Sequence, residues 1–290
     1  MMIKTAVSLA VLALAAQVSD AFFSTADVQG GNLRMAGGST VDDVATYSYQ
    51  VAIRPLRRQA GQDVELPVCS GIVIRGTDNA VSTTAVAWIL TSATCALSGS
   101  SYRIYAGTNR VQSNTPADYY LLDGSLAIVH PEYLRTFRSA DVALIPDQLW
   151  LPVTAVTVAT LPTLSDGNKG YLAASVSMAG WGYPYDSFDA ASPLLRQLSS
   201  RVVPNLICSL AHVGLPITGS HICTGGLFNR GPCTGDSGAP LAVTVAGNKT
   251  VIGLATLTPA NGCSRSKPGI FTRVGSYLGW IIKYTNYEAN

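Results

Sequence analysis

Cys233-Thr-Gly-Asp-Ser-Gly-Ala-Pro-Leu241 places an aspartate and a serine between glycines, with a cysteine before them and a proline after. Gly-Asp-Ser-Gly is four common residues and decides nothing alone. Its weight comes from three segments that precede it in order: Trp88-Ile-Leu-Thr-Ser-Ala-Thr-Cys95, Asp141-Val-Ala-Leu144 and Gly180-Trp-Gly182. Around them recur short apolar segments bounded by turn residues: Tyr49–Ile53, Val68–Ile74, Ala87–Leu90, Tyr102–Tyr105, Leu126–Val129, Val142–Ile145, Leu241–Val245 and Val251–Leu257. Rich in Val, Ile, Tyr and Trp, and separated by Gly, Pro, Asn and Ser, they predict antiparallel strands in barrels or sandwiches. A βαβ repeat would need helical patterns of about 10–15 residues between strands. Only the C-terminus has helical periodicity: from Ser276, read as an N-cap, Tyr277, Trp280, Ile281 and Tyr284 recur at steps of three and four.

Composition narrows the class. The chain has 290 residues, 48% of them hydrophobic and 12% charged, with 19 Lys+Arg against 17 Asp+Glu and a net charge of +2. That excludes charge-driven disorder. It also excludes a polybasic nucleic-acid binder, since no basic cluster is longer than Arg57-Arg58. The first residues read as an export signal over 1–21: Lys4, an apolar run from Ala6 to Ala16, then Ser19 and Ala21 three and one before the cut. The run is shorter than the roughly 20 apolar residues a bilayer span requires, and no other stretch is long and uncharged enough, so no membrane association is expected. A secreted, extracellular protein is expected, in a compartment where the 6 cysteines can pair completely. Asn248-Lys249-Thr250 is an N-glycosylation acceptor on that route.

Together the four segments resemble the trypsin-like serine proteases of chymotrypsin fold over nearly the whole mature chain. Lys267-Pro-Gly-Ile-Phe-Thr-Arg-Val274 and Gly279-Trp-Ile-Ile282 look like the family's last strand and helix. The resemblance implies an all-β architecture: two packed six-stranded antiparallel barrels with a C-terminal helix. The homology domain would cover 35–290, with the barrel boundary near 149–160 and a propeptide over 22–34. Six cysteines allow 15 pairings; the family pattern implies Cys69–Cys95, Cys208–Cys223 and Cys233–Cys263. It also implies that cleavage after Arg34 would let the ammonium of Met35, in Met35-Ala-Gly-Gly38, pair with Asp236.

Peptide cleavage by a serine needs a nucleophile, a base and an anion that orients the base. By family analogy Ser237 is the nucleophile, Asp141 the orienting carboxylate, and the N–H groups of Gly235 and Ser237 the oxyanion donors. Where the family ends a segment Ala-Ala-His-Cys, this chain reads Ser92-Ala-Thr-Cys95, so Thr94 stands at the base's position. A threonine hydroxyl is not basic near neutral pH and cannot relay a proton to a leaving amine. Only 3 histidines remain: His130 in a surface-loop pattern of the first barrel, and His212 and His221 flanking the Cys208–Cys223 loop. The family fold puts none of them at the nucleophile. Losing the base removes roughly 10⁶-fold and leaves about 10³–10⁴ over water. Gly231, Thr256, Thr258 and Gly269 take the primary-pocket positions, and Gly231 provides no acidic site for Arg or Lys. Thr258 stands where the family has glycine and narrows the pocket mouth; Ala239 replaces the second glycine of Gly-Asp-Ser-Gly-Gly-Pro. No metal or cofactor is implied.

An export signal, six cysteines, the trypsin-like framework and a broken triad are shared with the glucanase inhibitor proteins of plant-pathogenic oomycetes, and the chain is most similar to that group. The resemblance implies a monomeric inhibitor whose protein partner is a host endo-β-1,3-glucanase in the apoplast, suppressing release of elicitor glucans. Its interface would bury about 1,200–2,000 Å² on barrel-rim loops. Tyr183-Pro-Tyr-Asp-Ser-Phe188 supplies aromatic candidates. The alternatives are an active secreted endopeptidase with an unconventional base, and a pseudo-protease with a different extracellular partner.

Overall fold

The structure, a computed structural model, describes residues 38–77, 85–111, 119–147, 156–184, 191–226, 231–257, 263 and 266–288. Among them lie fifteen strands: β1 (Ser39–Thr40), β2 (Gln50–Gln59), β3 (Gln62–Glu65), β4 (Cys69–Thr77), β5 (Ala85–Thr91), β6 (Ser101–Ala106), β7 (Tyr120–Asp123), β8 (Ile128–Val129), β9 (Ala143–Asp147), β10 (Ser175–Gly180), β11 (Arg196–Val203), β12 (His221–Thr224), β13 (Pro240–Val245), β14 (Asn248–Leu257) and β15 (Gly269–Arg273). They form two antiparallel sheets. The second runs β1-β11-β10-β13-β14-β15-β12, and β12 pairs back onto β11, so six strands close a ring and β1 adds a seventh outside it. The first runs β7-β6-β2-β4-β5-β9-β8, with β3 paired to β2. Its two end strands, β7 and β8, flank a 3₁₀ turn at Gly124–Leu126 and form the halves of one bent strand. One half pairs with β6 and the other with β9, which curls the sheet into a barrel. The expected six strands per barrel thus stand, with short additions at the edges.

Alternation along the strands makes the two core layers. In β5, Ile89 points into the first barrel with Val51, Ile53, Val73, Ile104 and Ile145, while Trp88 and Leu90 point outward with Ile72, Ile74 and Leu144. That outward layer also contains Trp181, Val251 and Leu254 from second-barrel segments. Because both faces are covered, the strands read as nearly continuous apolar runs. The second barrel is filled by Val176, Met178, Leu198, Ile222, Leu241, Ile252 and Phe271.

Four elements differ from the sequence reading. Leu126 belongs to the 3₁₀ turn, so the segment expected over Leu126–Val129 is a strand only at β8. The C-terminal helix, α3 (Leu278–Thr285), follows a 3₁₀ turn at Val274–Tyr277 that contains Ser276. Ser276 is therefore not its cap, and the buried face is Leu278, Ile281 and Thr285, with Tyr284 exposed. Two further helices, α1 (Ala93–Ala96) and α2 (Asn205–Ala211), escape periodicity analysis because they have no long apolar face. Leu206 and Leu210 of α2 are exposed, and its buried residue is Cys208, bridged to Cys223.

Candidate active site

A cavity of about 440 Å³ is lined from the first barrel by Arg57, Thr94, Ser98 and Arg138, and from the second by Gly235, Ser237 and Thr256, among others. The covalent frame is complete: Cys69–Cys95 ties β4 to the helix that carries Thr94, and Cys233–Cys263 ties the Ser237 loop to the segment after β14.

The Ser237 turn is clamped onto the first barrel. The Ser70 N–H donates to the Ser237 carbonyl at 2.8 Å, and Thr91 Oγ1 donates to the Ser70 carbonyl at 2.6 Å. Gly238, with φ +81°, leaves no space for a side chain, since a Cβ there would fall 2.1 Å from the Ser70 carbonyl oxygen. Within the turn, Asp236 N–H donates to Cys233 O, and Ala239 N–H donates to Asp236 O. Among the described residues, the Gly235 and Ser237 N–H groups take no part in these bonds, as oxyanion donors require. The Asp236 carboxyl is fully buried and accepts from Gly182 N–H and Cys233 N–H, each at 2.8 Å. Burial outweighs those two donors and pushes its pKa up to about 7.

Asp141 is also fully buried. Its carboxylate accepts from the Thr94 N–H at 2.8 Å, from Thr94 Oγ1 at 3.0 Å, and from Thr256 Oγ1. Burial raises its pKa, opposed by the Thr256 and Thr94 donors and by the Arg138 charge. Thr256 reaches it because β14 is irregular: Ala255 pairs with Phe271 and Leu257 with Ile270, leaving Thr256 without a partner on β15. Such a bulge re-aims a side chain. Thr256→Val keeps the shape but strips one donor from a buried carboxylate, so an unfolding free energy lower by about 1–3 kcal/mol is expected in denaturant titration.

The hydroxyl of Thr94, the residue expected at the base's position, is saturated. It donates to Asp141, lies 3.0 Å from the Tyr133 hydroxyl, and accepts from Arg138 Nη1. Arg138 is held with φ +51°, in the left-handed region, in the loop that leads to Asp141. Ser237 Oγ bonds instead to Ser92 Oγ at 2.8 Å. Ser92 is buried and also caps α1, accepting from Cys95 N–H at 3.1 Å. None of the three histidines lines the cavity. His130 packs on Tyr277 and Trp280; His212 Nε2 bonds the Pro268 carbonyl at 2.9 Å. His221 Nδ1 accepts from Thr218 N–H, and the ring also engages the backbone of Arg138. Burial holds all three below the usual imidazole pKa.

The structure therefore brings Thr94, Asp141, Ser237, Gly235 and Thr256 to one place. Gly231 and Gly269 are buried beyond the cavity lining, with Gly269 against Thr224, Pro232 and Phe271. Met35, Thr258 and residues 185–190 lie outside the described residues. Asn248 is exposed at the start of β14, after a two-residue hairpin turn in which Ala246 and Gly247 have positive φ. Sequence reasoning missed Arg138, Tyr133 and Ser92. Ser92 had a local signal, a serine three residues before Cys95 at a helix start; the other two had none.

Two antiparallel barrels with an aspartate from one and a serine turn from the other across a shared cleft define a chymotrypsin-type serine protease framework. Residues 61–281, well over half the chain, match the trypsin family, and the protein belongs to it. Brachyurin of Leptuca pugilator is 31% identical over 201 residues, covering 68% of this chain and 83% of brachyurin. Chymotrypsin-like elastase family member 1 of Homo sapiens is 28% identical over 264 residues, covering 89% of this chain and 95% of its own. The solved structure of HL collagenase superposes with a TM-score of 0.70 at 24% identity, covering 87% of this chain and 98% of that one, a likeness of fold.

Proposed function

We propose that this member of the trypsin family is a secreted, proteolytically inactive homologue that acts as a protein inhibitor by binding host plant endo-β-1,3-glucanases, thereby suppressing release of elicitor glucans. The observation that carries the inactive part is the occupancy of the base's position. Thr94 donates to Asp141, Arg138 covers it, and Ser237 bonds to Ser92. A nucleophile without a base keeps only the contribution of oxyanion donors and binding. What supports an extracellular role is the leader over residues 1–21, together with three disulfides that persist only in an oxidising compartment. Among the described residues no helix is long and apolar enough to cross a membrane. Glycosylation of Asn248 fits the same route.

The glucanase as partner rests on the resemblance to oomycete glucanase inhibitors. A second reading, an active endopeptidase with an unconventional base, is favoured by the retained Ser237, Asp141 and oxyanion turn. Two measurements separate them. The purified protein is expected to lower the rate of a plant endo-β-1,3-glucanase in proportion to its concentration and to leave Ser237 unlabelled by a fluorophosphonate probe. Labelling or casein turnover that Ser237→Ala abolishes would establish the endopeptidase; failure to retain or inhibit any endoglucanase in a panel would remove the glucanase as partner.

A further inference from the structure

The mouth of the cavity is cationic. Its lining contains three residues with ionisable charge: Arg57, Arg138 and Asp236. The Asp236 carboxyl is turned away, fully buried against the Gly182 and Cys233 N–H groups, so it presents only backbone to the cleft. The other nearby acid, Asp141, is likewise buried behind Thr94 and Thr256 and offsets part of the Arg138 charge from below. Arg57, in the same lining, is exposed, with one guanidinium nitrogen on the Ser98 carbonyl at 3.1 Å. Arg138 spends Nη1 on Thr94 and Tyr133; among the described residues its Nε and Nη2 make no further bond. The same cavity is lined by Gly235 and Ser237, whose N–H groups and the Ser237 hydroxyl it therefore shares with the two arginines.

We propose that this cleft is a carboxylate-binding site, which takes a Glu or Asp side chain of a partner polypeptide with the Gly235 and Ser237 N–H groups, Arg57 and Arg138 of its lining as donors. Donors dominate: backbone N–H groups, a hydroxyl able to donate and two guanidinium forks suit an anion with two acceptor oxygens. A basic or apolar side chain satisfies neither the N–H groups nor the guanidinium forks. The proposal rests on the reading of this chain as a protein-binding homologue and specifies the contact it makes at the former catalytic cleft.

The test uses the purified full-length secreted protein and a blocked hexapeptide carrying two glutamates, compared with the same peptide carrying glutamines, by calorimetric titration. The glutamate peptide is expected to bind at least about tenfold more tightly, and to weaken severalfold as salt rises from about 50 to 300 mM. Arg57→Gln and Arg138→Gln should each lose about fivefold or more in affinity, with circular dichroism showing retained fold. Arg57 is exposed, so its variant decides the matter even if the Arg138 variant unfolds. Equal binding of the two peptides, no detectable binding of either, or wild-type affinity in the Arg57 variant would overturn the proposal. Glucanase inhibition that persists in both arginine variants, with no peptide binding, would leave the inhibitor reading standing without this site. Peptide binding without inhibition of any glucanase would retain the site and remove that reading.

Discussion

Thr94→His alone is expected to leave peptide hydrolysis at least about 100-fold below the rate of an intact triad, because on the inactive reading proposed above the side chain at position 94 is only one of the obstacles at the site. An imidazole at position 94 must displace the Arg138 guanidinium, which now donates to the Thr94 hydroxyl beside Asp141. It must also draw the Ser237 hydroxyl away from Ser92, a buried partner held in place by its cap on α1. The double variant Thr94→His/Arg138→Leu removes the first obstacle and should exceed the single one by about tenfold or more in kcat/KM. Adding Ser92→Ala removes the second, at a helix-capping cost of about 1 kcal/mol. Hydrolysis of a chromogenic peptide amide, with fluorophosphonate labelling of Ser237 as the parallel readout, checks the series. Ordinary protease rates from the single variant would show that the arginine and serine contacts are easily broken.

The contribution of Asp236 to stability is expected to fall as pH rises from about 4 to 7. Its folded pKa is pushed up to about 7 by burial, against an unfolded value near 3.9. Between those values the folded chain holds a proton that the unfolded chain has lost, so the slope of unfolding free energy against pH is negative. The stabilisation is complete below about pH 4 and is lost as pH rises through the folded pKa, a change on the order of a few kcal/mol. Asp141, also raised by burial, has the same sign, whereas the three histidines, lowered by burial, cost stability on the acid side. The difference in unfolding free energy between the unsubstituted chain and Asp236→Asn should therefore decline between about pH 4 and 7 in urea titrations of the uncut chain. Cleavage after Arg34 provides a further control. If the Met35 ammonium pairs with Asp236, the carboxylate is favoured and the decline disappears; an unchanged decline in a chain starting at Met35 would remove that ion pair.

The legible parts of the fold were those written in local patterns. Ile72–Ile74, Trp88–Leu90 and Val142–Ile145 are apolar on both faces because one faces the barrel interior and the other the shared layer, and such runs stand out in sequence. By contrast, β10 reads Ser-Val-Ser-Met-Ala-Gly and β11 reads Arg-Gln-Leu-Ser-Ser-Arg-Val-Val. Their ladder partners, not their composition, make them strands. The α2 helix was hidden for a related reason, since its anchor is a disulfide rather than an apolar stripe.

From the stretch around Ser237 and the three segments before it, the sequence alone determined the framework, the cysteine count and the threonine that precedes Cys95. Those are properties of residue identity and order. Only the tertiary structure decided what surrounds Thr94: Arg138, 44 positions away, covers its hydroxyl. It likewise decided that Ser92 holds Ser237 across 145 positions and that a bulge aims Thr256 at Asp141 across 115. These contacts depend on strand register, a positive φ and the packing of one barrel on the other, none of which a local pattern encodes.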